Sequence, residues 1–192
     1  MVEMNKKREE SLSSKYSIIE ALLSNNLSKR NKQKQNRLRK LSCKLLDKYY
    51  FLLLNELNVN EFYECGAHEA SASINFARNG KSVAIEANPY TFKSKTLLAA
   101  DHGVTTLNLA LGSKKAKSLM FIDLENVTSP ATSLLSNRLD FKKIQVPMNT
   151  LDSIVKSNSL PNSILALWID VEGSTYDLLL GAIKTLKVRT AE

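Results

Sequence analysis

Cysteine is scarce in this chain, with two in 192 residues. Cys43 and Cys65 form neither a disulfide framework nor a metal site by their spacing. Cys65 falls at the end of a candidate buried strand, where a small reduced thiol is commonly found. Long hydrophobic runs are missing as well. The strongest apolar cluster, Tyr49 to Leu54, is far too short to span a membrane. The first ten residues are polar and carry no apolar core of signal-peptide type. These absences predict an intracellular, cytoplasmic chain. What remains is ordinary for a globular protein: 43% hydrophobic and 24% charged residues, with a length that suits about one domain and an appendage.

Charge is spread unevenly. Residues 1–48 hold 13 Lys/Arg and 5 Asp/Glu, a net +8, while residues 49–192 hold 14 of each and are neutral. The whole excess therefore sits on an N-terminal arm. Within it, Lys29 to Lys40 is a basic run, and Leu38, Leu41, Leu45 and Tyr49 follow at helical spacing. A solvated helical face explains this pattern, and attraction to a phosphate-rich surface is the alternative. The run has no interleaved aromatics and no recognisable nucleic-acid motif. Residues 1–14 are expected to be disordered, and Lys15 to Leu23 to begin a helix. We divide the chain into a basic helical arm, residues 1–57, and a body, residues 58–192.

The body alternates strand and helix patterns. Phe62–Cys65 reads as a strand, followed by a helix carrying Ile74 and Ala77 on one face and stopped by Gly80. Ser82–Ile85 is the second strand, and Pro89 opens a helix running from Tyr90 to Ala100 that stops near Gly103. Val104–Leu111 is the third strand. An irregular insert follows, with extended pieces at Leu119–Leu124 and Lys143–Val146, a polar loop at Asn126–Arg138, and a short helix from Leu151. Ile164–Ile169 is a continuous apolar run of the kind buried on both faces. A helix from Tyr176 to Leu186 comes last. This alternation predicts an α/β fold with a parallel, doubly wound sheet.

In such a sheet, ligands bind at the carboxyl ends of the strands. Acids stand there in register: Glu64 beside Gly66 on the first strand, Glu86 on the second, Asp170 on the fourth. Glu86 lies 20 residues beyond Gly66, the separation at which a carboxylate accepts both ribose hydroxyls of a nucleotide. The G-x-G-x-x-G pattern of nicotinamide-binding dehydrogenases is missing. Asp170 and Glu172 have no third partner that would make a metal set.

Five blocks carry a resemblance across Glu61 to Leu186. They are Tyr63-Glu64-Cys65-Gly66-Ala67-His68, Val83-Ala84-Ile85-Glu86-Ala87-Asn88-Pro89, Asn108-Leu109-Ala110-Leu111-Gly112, Val146 to Asp152, and Trp168-Ile169-Asp170-Val171-Glu172-Gly173. Together with Leu180-Gly181-Ala182 they are similar to the FkbM-type S-adenosylmethionine-dependent methyltransferases. The resemblance implies a Rossmann-like class I methyltransferase fold and methyl transfer to a hydroxyl, often on a saccharide or related natural product. It implies that Glu64, Gly66 and Ala67 line the methionine part of the cofactor, S-adenosylmethionine. Glu86 would hold the ribose, and Ala87, Asn108 and Leu111 would flank the adenosine. Asp170 and Glu172 would face the transferred methyl, with Asp170 as base or acceptor-positioning group and His68 as a second titratable candidate.

The chain departs from that pattern in three places. Glu64 stands where an aspartate is usual, and Ala70 replaces a glycine of the first loop, placing a methyl where the backbone comes closest to the ligand. The family sheet has seven strands in the order 3-2-1-4-5-7-6, and four are legible here, with Val188–Glu192 reading as the start of a fifth. A fragment is therefore expected, or a chain that needs a partner, such as a second copy of itself, to complete the sheet. The competing reading is a catalytically impaired methyltransferase-like module that binds or assembles through its arm.

Overall fold

The computed structural model describes residues 32–123, 125–128 and 141–187, with side chains from Leu38 onward. The expectations for residues 1–31, for most of the Asn126–Arg138 loop and for Val188–Glu192 lie outside this range. Two compact units are present, Met1–Leu54 and Asn55–Glu192. The first is represented by helix α1 (Lys32–Glu56), whose last two residues belong to the second. No helix among the described residues is long and apolar enough to cross a membrane.

The second unit is built on β1 (Glu61–Cys65), every residue of which is buried. It lies in a four-stranded parallel sheet of order β3-β2-β1-β7, formed with β2 (Lys81–Glu86), β3 (Thr105–Asn108) and β7 (Leu165–Ile169). Side chains alternate across a strand, so β1 sends Phe62 and Glu64 to one face and Tyr63 and Cys65 to the other. On the first face Phe62 stacks on Phe76 of α2 (Ser71–Phe76), with ring centroids 5.1 Å apart. On the same side, a small-residue cluster of Ala67, Ala70, Ala84, Ala99 and Val104 takes Ile74 and Ala77 against it. On the opposite face Tyr63, Cys65, Val83 and Ile85 pack with Leu151, Ile154 and Val155 of α4 (Leu151–Asn158) and Leu178 of α5 (Thr175–Leu180). Helices thus cover both faces of a mixed α/β, Rossmann-like unit, as the alternation predicts.

Four elements differ from the sequence reading. The third strand is divided: Thr105–Asn108 pairs with β2, whereas β4 (Ala110–Leu111) leaves that sheet and pairs in parallel with β6 (Phe141–Asn149). The irregular insert is itself ordered around a hairpin, β5 (Ala116–Asp123) antiparallel to β6, in a second sheet of order β4-β6-β5. The helix expected from Tyr90 is also two pieces. α3 (Pro89–Ser94) ends at Lys95, whose backbone leaves the helical region, and a 3-10 helix (Thr96–His102) continues to Gly103. Gly103 does stop it, at φ 80.

The final helix is broken at Gly181 into α5 and α6 (Ile183–Lys187). The residue at the break has a tertiary reason to be glycine: a Cβ on Gly181 would stand 2.1 Å from the carbonyl oxygen of Gly112. Gly80 is not a helix stop, since α2 ends four residues earlier and Gly80 is not among the positive-φ glycines. A Cβ there would lie 2.5 Å from the Asn60 carbonyl oxygen, so the position is closed by the neighbouring chain.

Candidate active site

The strand register brings the acids to one edge. Cys65 is aligned with Ile85 on one side and Ile169 on the other, so Gly66, Glu86 and Asp170 all stand one step past paired residues. Main-chain bonds hold the three chain exits together. Gly66 and Ala67 donate to the Ile85 carbonyl at 2.9 and 3.0 Å, and the Asp170 N–H donates to the Cys65 carbonyl at 2.9 Å. Gly66 has φ 85, and a Cβ on it would fall 2.0 Å from the Asp170 carbonyl oxygen. The glycine is thus required by the close passage of the two strand ends.

The loop after β1 is tightly specified. His68 and Ala70 also have positive φ, 47 and 55, a conformation unusual for residues with a Cβ. The Ala70 side chain is fully buried in the small-residue cluster. Its methyl therefore points into the core under α2, not to the place the sequence reading assigned it. The loop is held from outside by Glu86, which accepts the His68 N–H through Oε2 at 2.9 Å and the Asn88 N–H through Oε1 at 2.8 Å. The Thr96 hydroxyl donates to the His68 carbonyl at 2.6 Å. Glu86 thus ties the β1 loop to its own strand end, and its carboxylate still has lone pairs for a diol.

Glu64 lies on the α2 face of β1, 6% exposed. Its Oε2 accepts the Ser73 N–H at 2.8 Å, supplying α2 with the cap that Ala70 does not make. Burial pushes its carboxyl above the usual range; hydrogen bonds from Ser73 and Ala72 oppose this, and the negative charge of Asp170 adds to it. The two carboxylates therefore sense each other across Gly66, an arrangement that a positive group relieves. Asp170 and Glu172 are exposed just past β7. Ser174, which precedes α5, makes no side-chain cap bond. The thiol of Cys65 is buried and pushed up to about 12, by burial first and by the charge of Glu64 second. It is no nucleophile at neutral pH.

The remaining candidates divide. Asn108 is at the site, its Nδ2 donating to the Glu86 carbonyl at 2.8 Å and to that of Ala87 at 3.4 Å. Ala87 is half-buried against the second sheet's core. Leu111 is only 4% exposed and packs among Leu151, Leu178 and Ala182 in the main core, and Ala67 is buried in the small-residue cluster. The His68 ring lies 3.2 Å from both the Thr128 carbonyl and the Lys95 ammonium, and Lys95 pairs with Glu69 at 3.1 Å. Among the described residues, no group of three or more His, Cys, Asp and Glu side chains is placed to hold a metal ion.

Sequence reading passed over Asn88 and Thr96, both buried. Asn88 was visible as an N-cap before Pro89, and its Oδ1 accepts from Tyr90 and Thr91 at 3.0 and 3.4 Å. Nothing in the pattern showed its third bond, from Nδ2 to the Val127 carbonyl at 2.7 Å.

The motif block around Thr150-Leu151-Asp152 has a structural explanation. Thr150 caps α4 through the Ser153 N–H, and the Asp152 carboxylate accepts from the N–H groups of Lys184 and Thr185 and from the Thr185 hydroxyl. The Asp152 N–H donates to the Gly181 carbonyl. These residues join α4 to the start of α6.

No curated protein and no solved structure matches the chain. A family model, the methyltransferase FkbM domain, matches residues 64–191, which begins at Glu64 and spans every strand end described above. The chain therefore belongs to the FkbM methyltransferase family.

Proposed function

We propose that the chain binds S-adenosylmethionine at the β1, β2 and β7 strand ends and serves O-methylation of a hydroxyl on a saccharide or related natural product. One observation carries this reading: Glu64, Glu86 and Asp170 are gathered at one edge of a parallel sheet of order β3-β2-β1-β7. The donor set suits the molecule. A ribose diol matches the carboxylate of Glu86, and a sulfonium with an ammonium matches the two acids Glu64 and Asp170 on either side of Gly66, of which the buried Glu64 is raised.

When bound, the cofactor supplies an electrophilic methyl on a positively charged sulfur. The chain's own residues would have to hold an acceptor hydroxyl in line with that methyl and accept its proton. Asp170, exposed and past the end of β7, is the group we assign to orient that hydroxyl and take the proton. Glu172, two residues further, is a second acceptor for the same proton. The Nε2 of His68 is taken up by one of two neighbours, donating to the Thr128 carbonyl or accepting from the Lys95 ammonium according to its tautomer, which suits an orienting role better than that of a base. Two free thiols, one of them buried, fit a reducing, cytoplasmic compartment.

Calorimetry with S-adenosylmethionine on the whole chain tests the reading, with Glu86→Ala as control. Binding that falls at least tenfold in the variant is expected. An intact, folded protein that takes up no S-adenosylmethionine would remove the proposal. Transfer of a labelled methyl to a panel of sugars, abolished in Asp170→Asn, tests the assigned acceptor class.

A further inference from the structure

We propose that Asn88 is a positioning residue for the methyl-donor site and that the turn Glu125–Thr128, from the β5–β6 connection, forms part of that site's rim. The inference rests on the reading of Glu86 as the ribose carboxylate. Three polar groups of Asn88, which is 2% exposed, are each engaged. Its N–H fixes Glu86 Oε1 at 2.8 Å, its Oδ1 caps α3, and its Nδ2 holds the Val127 carbonyl at 2.7 Å. A second tie comes from the other loop, where His68 Nε2 meets the Thr128 carbonyl at 3.2 Å, and the His68 N–H is itself on Glu86 Oε2. Consecutive carbonyls of one turn are thus gripped by the two residues whose N–H groups each hold one oxygen of Glu86.

The turn is internally closed as well, since Asp123 Oδ1 accepts from Glu125 and Asn126 at 2.9 and 3.3 Å. The Val127 side chain packs into the same cluster as Ala87. Residues far from the cofactor motifs in sequence therefore stand over the strand end that would carry the nucleoside.

The choice of asparagine follows from this. Serine, aspartate and asparagine cap a helix about equally, but only asparagine offers an amide donor while its oxygen caps. A carboxylate at this position would face the Val127 carbonyl with no proton to give and would add a second negative charge beside Glu86.

Asn88→Ser in the whole chain separates the two duties, because the cap survives and the amide is lost. The expected result is a melting temperature close to that of the parent, with affinity for S-adenosylmethionine and S-adenosylhomocysteine reduced about tenfold, the scale of one buried hydrogen bond. Hydrogen exchange in peptides covering 119–128 should also accelerate. His68→Ala removes the other tie without touching the cap, and should loosen the same peptides. The two substitutions should combine non-additively, because both hold one turn.

Unchanged exchange in both variants overturns the positioning role. Faster exchange with unaltered affinity overturns the assignment of the turn to the rim. If the parent chain binds no cofactor, the reading of Glu86 fails instead, and the exchange measurement still decides what Asn88 holds.

Discussion

At the scale of single residues, the site is governed by how each buried polar atom is satisfied. Glu64 and Glu86 look alike in sequence, as acids at adjacent strand ends, yet their surroundings assign them different work. Glu64 is turned to the α2 start and held there by the Ser73 N–H. Glu86 bridges two loops with both oxygens. Cys65, between Glu64 and Gly66, is sealed inside the core. With its thiol pushed up to about 12, almost none is thiolate at neutral pH, whereas Cys43 is exposed. A maleimide added to the native chain at pH 7.5 should therefore modify one thiol, Cys43, and a second only after denaturation. Rapid modification of both in the native state would show that β1 is not buried as described.

At the scale of elements, the joint between α4 and α6 depends on one carboxylate. Asp152 is partly desolvated, which raises its pKa. The N–H groups of Thr185 and Lys184, the Thr185 hydroxyl and the Lys184 charge outweigh this and set it below its ordinary value of 3.8. Its folded pKa is thus lower than the unfolded one, so the stabilisation is present above about pH 4 and fades as pH falls through the folded value. Asp152→Asn should cost about 1 kcal/mol at pH 7, the scale of a lost helix cap. Urea denaturation should show the gap between parent and variant closing below pH 3.8. A constant gap across that range would mean that the charge contributes nothing.

At the scale of the molecule, the proposed cofactor site lies between elements of one unit, Asn55–Glu192, and is assembled from both of its sheets. Binding there should stabilise that unit as a whole by linkage. A single site filled at 100 times Kd adds about 2.7 kcal/mol. Thermal melts of the whole chain should shift upward with S-adenosylmethionine and with S-adenosylhomocysteine, and not with adenine alone at the same concentration. Equal shifts with all three would show that the strand-end acids do not recognise the amino-acid part. β7 closes one side of the main sheet as described, with Ile164 exposed at its start.

Several features were decided by the sequence itself. The parallel alternation of strands and the places of Gly66, Glu86 and Asp170 at strand ends were legible because short, largely apolar runs alternate with helix patterns and stop at Gly or acid. The family blocks are local for the same reason. Other features needed the third dimension. Val104–Leu111 is one apolar stretch in sequence, and only the pairing of Ala110–Leu111 with β6 sends its end into another sheet. The residue at the Gly181 break must be glycine because the Gly112 carbonyl occupies the space of a side chain. Ala70 faces the core because the left-handed turn before α2 points its methyl there. The grip of Asn88 and His68 on Val127 and Thr128 joins residues 39 and 60 positions apart. Hydropathy reports which residues leave water, and it does not report which distant donor will meet a given carbonyl. That pairing is settled when the two sheets pack.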